Sequence, residues 1–178
     1  MANDNWRTPP EPFHNLDREF NFVADMAADN DNHLCDLYFT EEDDSLSFEW
    51  AKEINAIVLG NQTKYVWCNP PYSNPLPWVK KAVEAQANGL GVVMLLNYDH
   101  SVTWFYEALK GVSEIRNIIT DGTKIQNSAS GRLAFLDCNG EPQNGNSKGQ
   151  TILVFNPFKI GACITSYIPK SKLYQEES

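Results

Sequence analysis

The chain has 178 residues and a formal net charge of −9, so it is long enough for one domain with a substantial core and too acidic to coat nucleic acid generally. No apolar run approaches the length of a bilayer span, and residues 1–5 lack the pattern of a secretory signal. The four cysteines (35, 68, 138 and 163) form no Cys-x-x-Cys pair and the three histidines are scattered, so a reduced, cytoplasmic protein without a metal site is expected.

The segment from Trp6 to Glu19 is rich in proline and polar residues and reads as an N-terminal arm, 1–19. Phe20-Asn21-Phe22-Val23-Ala24 alternates like a strand, and Leu37-Tyr38-Phe39 reads as a short second one. Leu46 to Ile57 has helical spacing. Asn61-Gln62-Thr63 is a turn before an apolar strand, Tyr65-Val66-Trp67-Cys68. Asn74 is placed to cap the next helix with Pro75 in its first turn, and Asn88-Gly89 to close it. Gly91 to Leu96 is a continuous apolar run, as in a strand buried on both faces of a parallel sheet. Val102 to Leu109 reads as a helix. Three strand-like runs follow, at 115–119, 133–136 and 151–155, with 137–150 as a hairpin loop containing Asn139-Gly140 and Asn144-Gly145. The alternation predicts an α/β fold, mostly parallel, with an antiparallel hairpin at its C-terminal edge.

Between the strand at 65–68 and the helix after it lies Asn69-Pro70-Pro71-Tyr72. A residue before proline is driven to extended geometry, so Asn69 should stand at the strand end, where open α/β sheets bind ligands. Pro70 and Pro71 have no N–H, which leaves their carbonyls without a competing donor of their own. The Asn69 side-chain oxygen and the Pro70 carbonyl are able to accept both hydrogens of an exocyclic amine, and Tyr72 offers a flat face to a base.

Four pieces of the chain together resemble the phage-type DNA adenine methyltransferase (Dam) family over roughly residues 6–157. They are Trp6-Arg7-Thr8-Pro9 with Phe13 and the 20–28 stretch; Tyr38-Phe39-Thr40 with Asp44-Ser45-Leu46 and Trp50; Trp67 to Ser73 with Trp78 to Ala82; and Gly131 to Phe135 with Asn146-Ser147-Lys148-Gly149. The resemblance implies one Rossmann-like domain, 1–178, using S-adenosylmethionine, with no metal. It implies that Thr8 and Pro9 lie near the methionine end of that cofactor. Asp25, Ala27 and Ala28 occupy the turn after the first strand. Asp44 and Leu46 belong to the segment that meets the adenine ring, and Asn69 faces both cofactor and target. Asp29 stands where a glycine of the usual loop is expected, and no Gly-x-Gly is present.

By the same resemblance Asn69, Pro70, Pro71 and Tyr72 carry methyl transfer to the exocyclic amine of adenine in double-stranded DNA, in the cytoplasm of a phage-bearing bacterium. Methylation of another planar amine, in RNA or a protein glutamine, and a non-catalytic nucleic-acid binder stand as alternatives. Charge is uneven: residues 1–60 hold fourteen acids against three bases, and the rest holds nine against eleven. The DNA surface is therefore expected in the second part, about 111–150, with Tyr72, Lys124, Arg132 and Lys148 as DNA-binding residues. Acids in that segment offset its bases, so a modest salt dependence is expected. Trp6, Trp50 and Trp78 read as core anchors.

Overall fold

A computed structural model describes residues 6–143, 146–159 and 161–175; the first five residues and the Asn144-Gly145 turn of the sequence analysis lie outside them. In chain order the elements are α1 (Pro10–Phe20), β1 (Phe22–Asp25), a 3-10 turn (Ser45–Ser47), α2 (Trp50–Ile57), β2 (Tyr65–Cys68), α3 (Leu76–Ala87) and β3 (Gly91–Asn97). They continue with α4 (Thr103–Ala108), β4 (Glu114–Ile119), β5 (Gln150–Phe155), β6 (Ile164–Pro169) and α5 (Lys170–Leu173).

The six strands form one sheet in the order β1-β2-β3-β5-β4-β6. β1, β2 and β3 pair in parallel, β5 runs antiparallel to both β3 and β4, and β4 pairs in parallel with β6. Side chains of β3 alternate between two cores. Val92, Met94 and Leu96 join the core beneath α2, α3 and α4. Val93 and Leu95 join the core that holds Phe13 and Leu16 of α1 and Leu173 of α5. The continuous apolar run at 91–96 thus has the two-sided burial its composition demands. Among the described residues no helix is long and apolar enough to cross a membrane.

Five expectations are corrected. The N-terminal arm is helix α1. Its prolines mislead because Pro10 and Pro12 sit in the first turn, where the missing N–H costs nothing, and Phe13 and Leu16 are buried. Residues 37–39 make only a bridge to Asp25, too short for a strand, although Asp25 N–H donates to the Leu37 carbonyl and Phe39 N–H to the Asp25 carbonyl. Pro75, not Asn74, stands at the N-cap of α3. Residues 133–136 form no sheet strand because their backbone groups go to scattered partners: Leu136 pairs with Arg7, the Phe135 carbonyl accepts from Gln143 N–H, and Leu133 bonds to side chains. Leu133 N–H donates to Gln150 Oε1 (2.9 Å) and the Leu133 carbonyl accepts from Asn146 Nδ2 (3.2 Å). Lastly, the antiparallel strand β5 lies inside the sheet. The edge is taken by β6, whose Pro169 is tolerated there because an edge position needs no ladder donor.

Gly131 shows how tightly the 130–136 segment is laid against β4. A Cβ there would stand 2.6 Å from the Ile119 carbonyl carbon and 2.7 Å from Thr120 N, so only glycine fits. At the other end of β4, Arg116 joins α1 to the sheet through Glu19 (2.6 Å to each oxygen) and Glu114 (2.8 Å).

Phe13 packs edge-on to Trp67 (centroids 5.6 Å) and tilted on Phe22 (5.5 Å). Phe13→Ala is expected to lower the unfolding free energy by about 3–5 kcal/mol in urea melts. A detached arm would show no change.

Candidate active site

The carboxyl ends of β1 and β2 lie side by side, since the two strands are parallel neighbours with Asp25 opposite Trp67. β1 ends at Asp25, and Asn69 follows directly on β2. Against these ends sits a cavity of about 510 Å³, well within the ~300–1,000 Å³ of small-ligand sites. Thr8, Asp25, Ala27, Ala28, Asp44, Leu46 and Asn69 all line it, so the structure gathers seven of the eight residues expected to hold a cofactor. Pro9, the eighth, is buried and does not line the cavity.

Asn69 has the most specific geometry. Its Nδ2 donates to Thr8 Oγ1 at 2.9 Å, a contact across 61 positions of sequence. This bond fixes the orientation of the amide. The Oδ1 atom is then left buried with no partner among the described residues. A buried amide oxygen without a donor costs roughly 1–3 kcal/mol, so its retention at a cavity wall points to a donor brought by a ligand. Pro70 is buried and Pro71 lines the cavity. Tyr72 is half-buried, its ring edge-on to Phe135 (5.9 Å, 81°), and its hydroxyl is buried without a partner. Burial pushes that phenol far above its ordinary range, so it stays protonated. Phe135 also stacks on Trp6 (5.9 Å, 20°).

Asp25 is 3% exposed. Its carboxylate accepts from Ala27 N–H (3.2 Å) and Leu34 N–H (3.3 Å), closing the loop that forms one cavity wall. Burial pushes the carboxyl up to about 6, and those two N–H bonds only partly oppose it. The facing wall is braced by Ser45, whose hydroxyl donates to the Met26 carbonyl (2.8 Å), and by Trp50, whose indole N–H donates to the Ser45 carbonyl (2.7 Å). Asp44 adopts a left-handed backbone (φ 46) just before that turn.

Trp50 is a core anchor as expected, but Trp6 and Trp78 line the cavity, together with Trp67 and Phe39. A signal for two of them was present. Trp6 precedes Thr8 by two positions and Trp67 precedes Asn69 by two, so in extended chain each pair shares a face. The candidate DNA residues are not gathered at this cavity. Lys124 is exposed, and Lys148 is paired with Asp99 at 2.9 Å. Arg132 is exposed and donates to the Asn146 carbonyl (3.1 Å) beside a second cavity.

Because the folded carboxyl of Asp25 titrates above its ordinary 3.8, the native state holds its proton more strongly than the unfolded state. Stability from this group is therefore full at low pH and lost as pH rises through about 6. The whole shift is worth about 3 kcal/mol. The ligand-free protein is expected to lose stability between about pH 4 and 6.5 relative to Asp25→Asn, compared by urea melts at each pH. Parallel curves would mean that the carboxyl is ionised at no cost.

Comparisons with known proteins give the site its context. All of the chain, residues 1–178, matches the family described as DNA N-6-adenine-methyltransferase (Dam). The DNA N-6-adenine-methyltransferase of Escherichia phage T1 is 35% identical over 173 residues, covering 93% of this chain and 68% of that protein. The protein of the same name from Haemophilus phage HP1 (strain HP1c1) is 34% identical over 170 residues, covering 93% of this chain and 86% of that protein. No solved structure matches the chain. With its entire length matched and two such relatives, the chain belongs to the DNA N-6-adenine-methyltransferase (Dam) family.

Proposed function

We propose that the cavity at the ends of β1 and β2 holds S-adenosylmethionine, in a single Rossmann-like domain, and that Asn69 and Pro70 present the amine of a flipped adenine to it. As a member of its family the chain is an adenine-specific DNA methyltransferase. The observation that carries the site assignment is the partnerless, buried Oδ1 of Asn69. Five of six strands running one way and a cavity at the carboxyl ends support the fold reading.

The cavity's chemistry fits the cofactor. Asp25 and Asp44 supply acceptors for hydroxyl and ammonium groups, while Phe39, Leu46 and Trp78 supply apolar surface for a flat ring. When bound, the cofactor supplies an electrophilic methyl group on a sulfonium. The chain's own work is on the amine. An adenine amine is a poor nucleophile because its lone pair is delocalised into the ring. Asn69 Oδ1 accepts one amine hydrogen and the Pro70 carbonyl the other, which localises the lone pair on nitrogen and aims it across the cavity. Thr8 holds the Asn69 amide so that its oxygen, not its nitrogen, faces the amine. Asn69 is neutral, so the proton leaves to water after transfer. The target in double-stranded DNA lies inside the helix and must be extruded. The Tyr72 ring, packed edge-on with Phe135, serves as the stacking platform. Lys124, Arg132 and Lys148, in the 111–150 segment, meet the duplex. The reaction takes place where the DNA is, in the bacterial cytoplasm.

S-adenosylmethionine at millimolar concentration is expected to raise the melting temperature by mass action, and Asp25→Ala to weaken that effect. Asn69→Ala is expected to keep cofactor affinity and to lose methyl transfer to duplex DNA by about 10²–10³-fold or more, measured with labelled cofactor. Near-parental turnover would sink the assignment. Tyr72→Ala should weaken DNA binding by about 1–3 kcal/mol.

The lysines differ in their surroundings. Lys124→Ala and Lys148→Ala are both expected to weaken DNA binding without altering cofactor affinity. Lys148 should show the smaller effect, because its ion pair with Asp99 has to open first. Gel-shift titrations of both variants check this, and equal, parental affinities would move the DNA surface elsewhere.

A further inference from the structure

The second cavity, of about 520 Å³, is lined by Arg132 and Lys170, by hydroxyl and amide side chains such as Ser130, Gln126 and Asn146, and, among the described residues, by no carboxylate. Lys170 opens the four-residue helix α5, and the residue is only 3% exposed. Among the described residues its ammonium makes no hydrogen bond and no ion pair. It lies only over the Tyr174 ring, 5.7 Å from the centroid. Burial pushes its pKa down from the ordinary lysine value. The side chain is packed away, but the ammonium is not among the fully enclosed unpartnered atoms, so it meets the open space of the cavity without a protein counter-charge among the described residues. Retention of the charge at a cavity wall is understandable if a ligand brings the anion.

The cavity's donors specify the kind of anion. Arg132 keeps most of its planar fork free, since one N–H bond goes to the Asn146 carbonyl. A guanidinium fork, a point-charge ammonium and neighbouring hydroxyl and amide donors together match a tetrahedral phosphate. The chain then leads directly from this cavity to the active site. Arg132, Leu133 and Ala134 line the cavity, the next residue, Phe135, touches Tyr72 and Trp6, and Leu136 bonds through its backbone to Arg7, the neighbour of Thr8. Three residues separate Arg132 from Phe135, a reach of at most about 10 Å, so the two cavities are close along this segment.

We propose that Arg132 and Lys170 form a phosphate-binding site that grips the backbone of the substrate DNA beside the extruded adenine. The proposal rests on the reading of DNA as substrate. It gives the C-terminal helix α5 a role in clamping the duplex and makes Lys170 a binding residue outside the 111–150 segment. A lysine kept only for structure would make no difference to the salt dependence of DNA binding.

The test is a salt series of duplex-binding isotherms with the full chain, in parallel with cofactor titration and thermal melting. Lys170→Met and Arg132→Gln are each expected to weaken duplex binding about tenfold and to reduce the slope of log affinity against log salt by about one. Cofactor affinity should stay at the parental value. The melting temperature of Lys170→Met should hold or rise, and Lys170→Arg should restore the slope. A second arm adds inorganic phosphate at constant ionic strength and follows melting. Stabilisation by phosphate that Lys170→Met abolishes, with an unchanged DNA salt slope, would identify a site for free phosphate and overturn the assignment to DNA. Parental affinity and slope in both variants, without any phosphate effect, would overturn the site altogether. Failure of the parent chain itself to bind duplex would instead defeat the reading of DNA as substrate.

Discussion

One hydrogen bond organises the cavity at the ends of β1 and β2: Asn69 Nδ2 to Thr8 Oγ1. Thr8 lies in the N-terminal segment and Asn69 at the end of a central strand, so the bond joins two parts of the chain that folding must first bring together. It also decides a chemical question. An amide can present either a donor or an acceptor, and by engaging the nitrogen Thr8 leaves the oxygen without a partner among the described residues. The segment before Thr8 is held by a backbone pair between Arg7 and Leu136 and by the stack of Trp6 on Phe135. After it, Pro9 and Pro10 start α1, whose Phe13 packs against Trp67, two residues before Asn69. Core packing on that face and amide orientation at the cavity are consequently linked through a few residues of backbone.

The sheet topology explains why the residues of this site come from such distant parts of the sequence. Parallel strands place their carboxyl ends on one edge of the sheet, so Asp25 and Asn69 become neighbours although they stand on different strands. The loop after β1 returns to that strand through the Asp25 bridge to Tyr38, and this folds residues 40–46 over the cavity. The position normally associated with a glycine-rich loop is instead filled by a loop closed on a buried carboxylate. The Asp25 carboxyl organises this loop, and burial raises its pKa as a consequence. A cofactor donor reaching Asp25 would favour its ionised form, which couples binding to the titration of this residue.

Much of this was legible in the sequence because local signals and tertiary demands agreed. Strand 65–68, the helix after it and the apolar run at 91–96 combine strong patterning with burial, and seven of the eight residues that the resemblance assigned to the cofactor line one cavity. The failures have distinct physical causes. Pro9, Pro10 and Pro12 suggested an irregular arm, yet proline is harmless in a first helical turn. The strand-like composition of 133–136 was real, but Leu133 is taken by the Gln150 and Asn146 side chains and Leu136 by the distant Arg7 backbone, partners that no local pattern announces. β6 alternates weakly and ends at a proline, which only an edge position permits. Lys170 has no signal in the sequence, because nothing there distinguishes a lysine on an open surface from one packed at a cavity wall.

The central claim is that Asn69 Oδ1, held free by Thr8, accepts a hydrogen from the adenine amine. A structure of the chain with duplex DNA and the demethylated cofactor tests it most directly. The account predicts an extruded adenine on the Tyr72 ring, with its exocyclic nitrogen about 3 Å from both Asn69 Oδ1 and the Pro70 carbonyl, and the Thr8–Asn69 bond retained. An extruded adenine whose amine bonds elsewhere, with Asn69 Oδ1 turned to another partner, would contradict it.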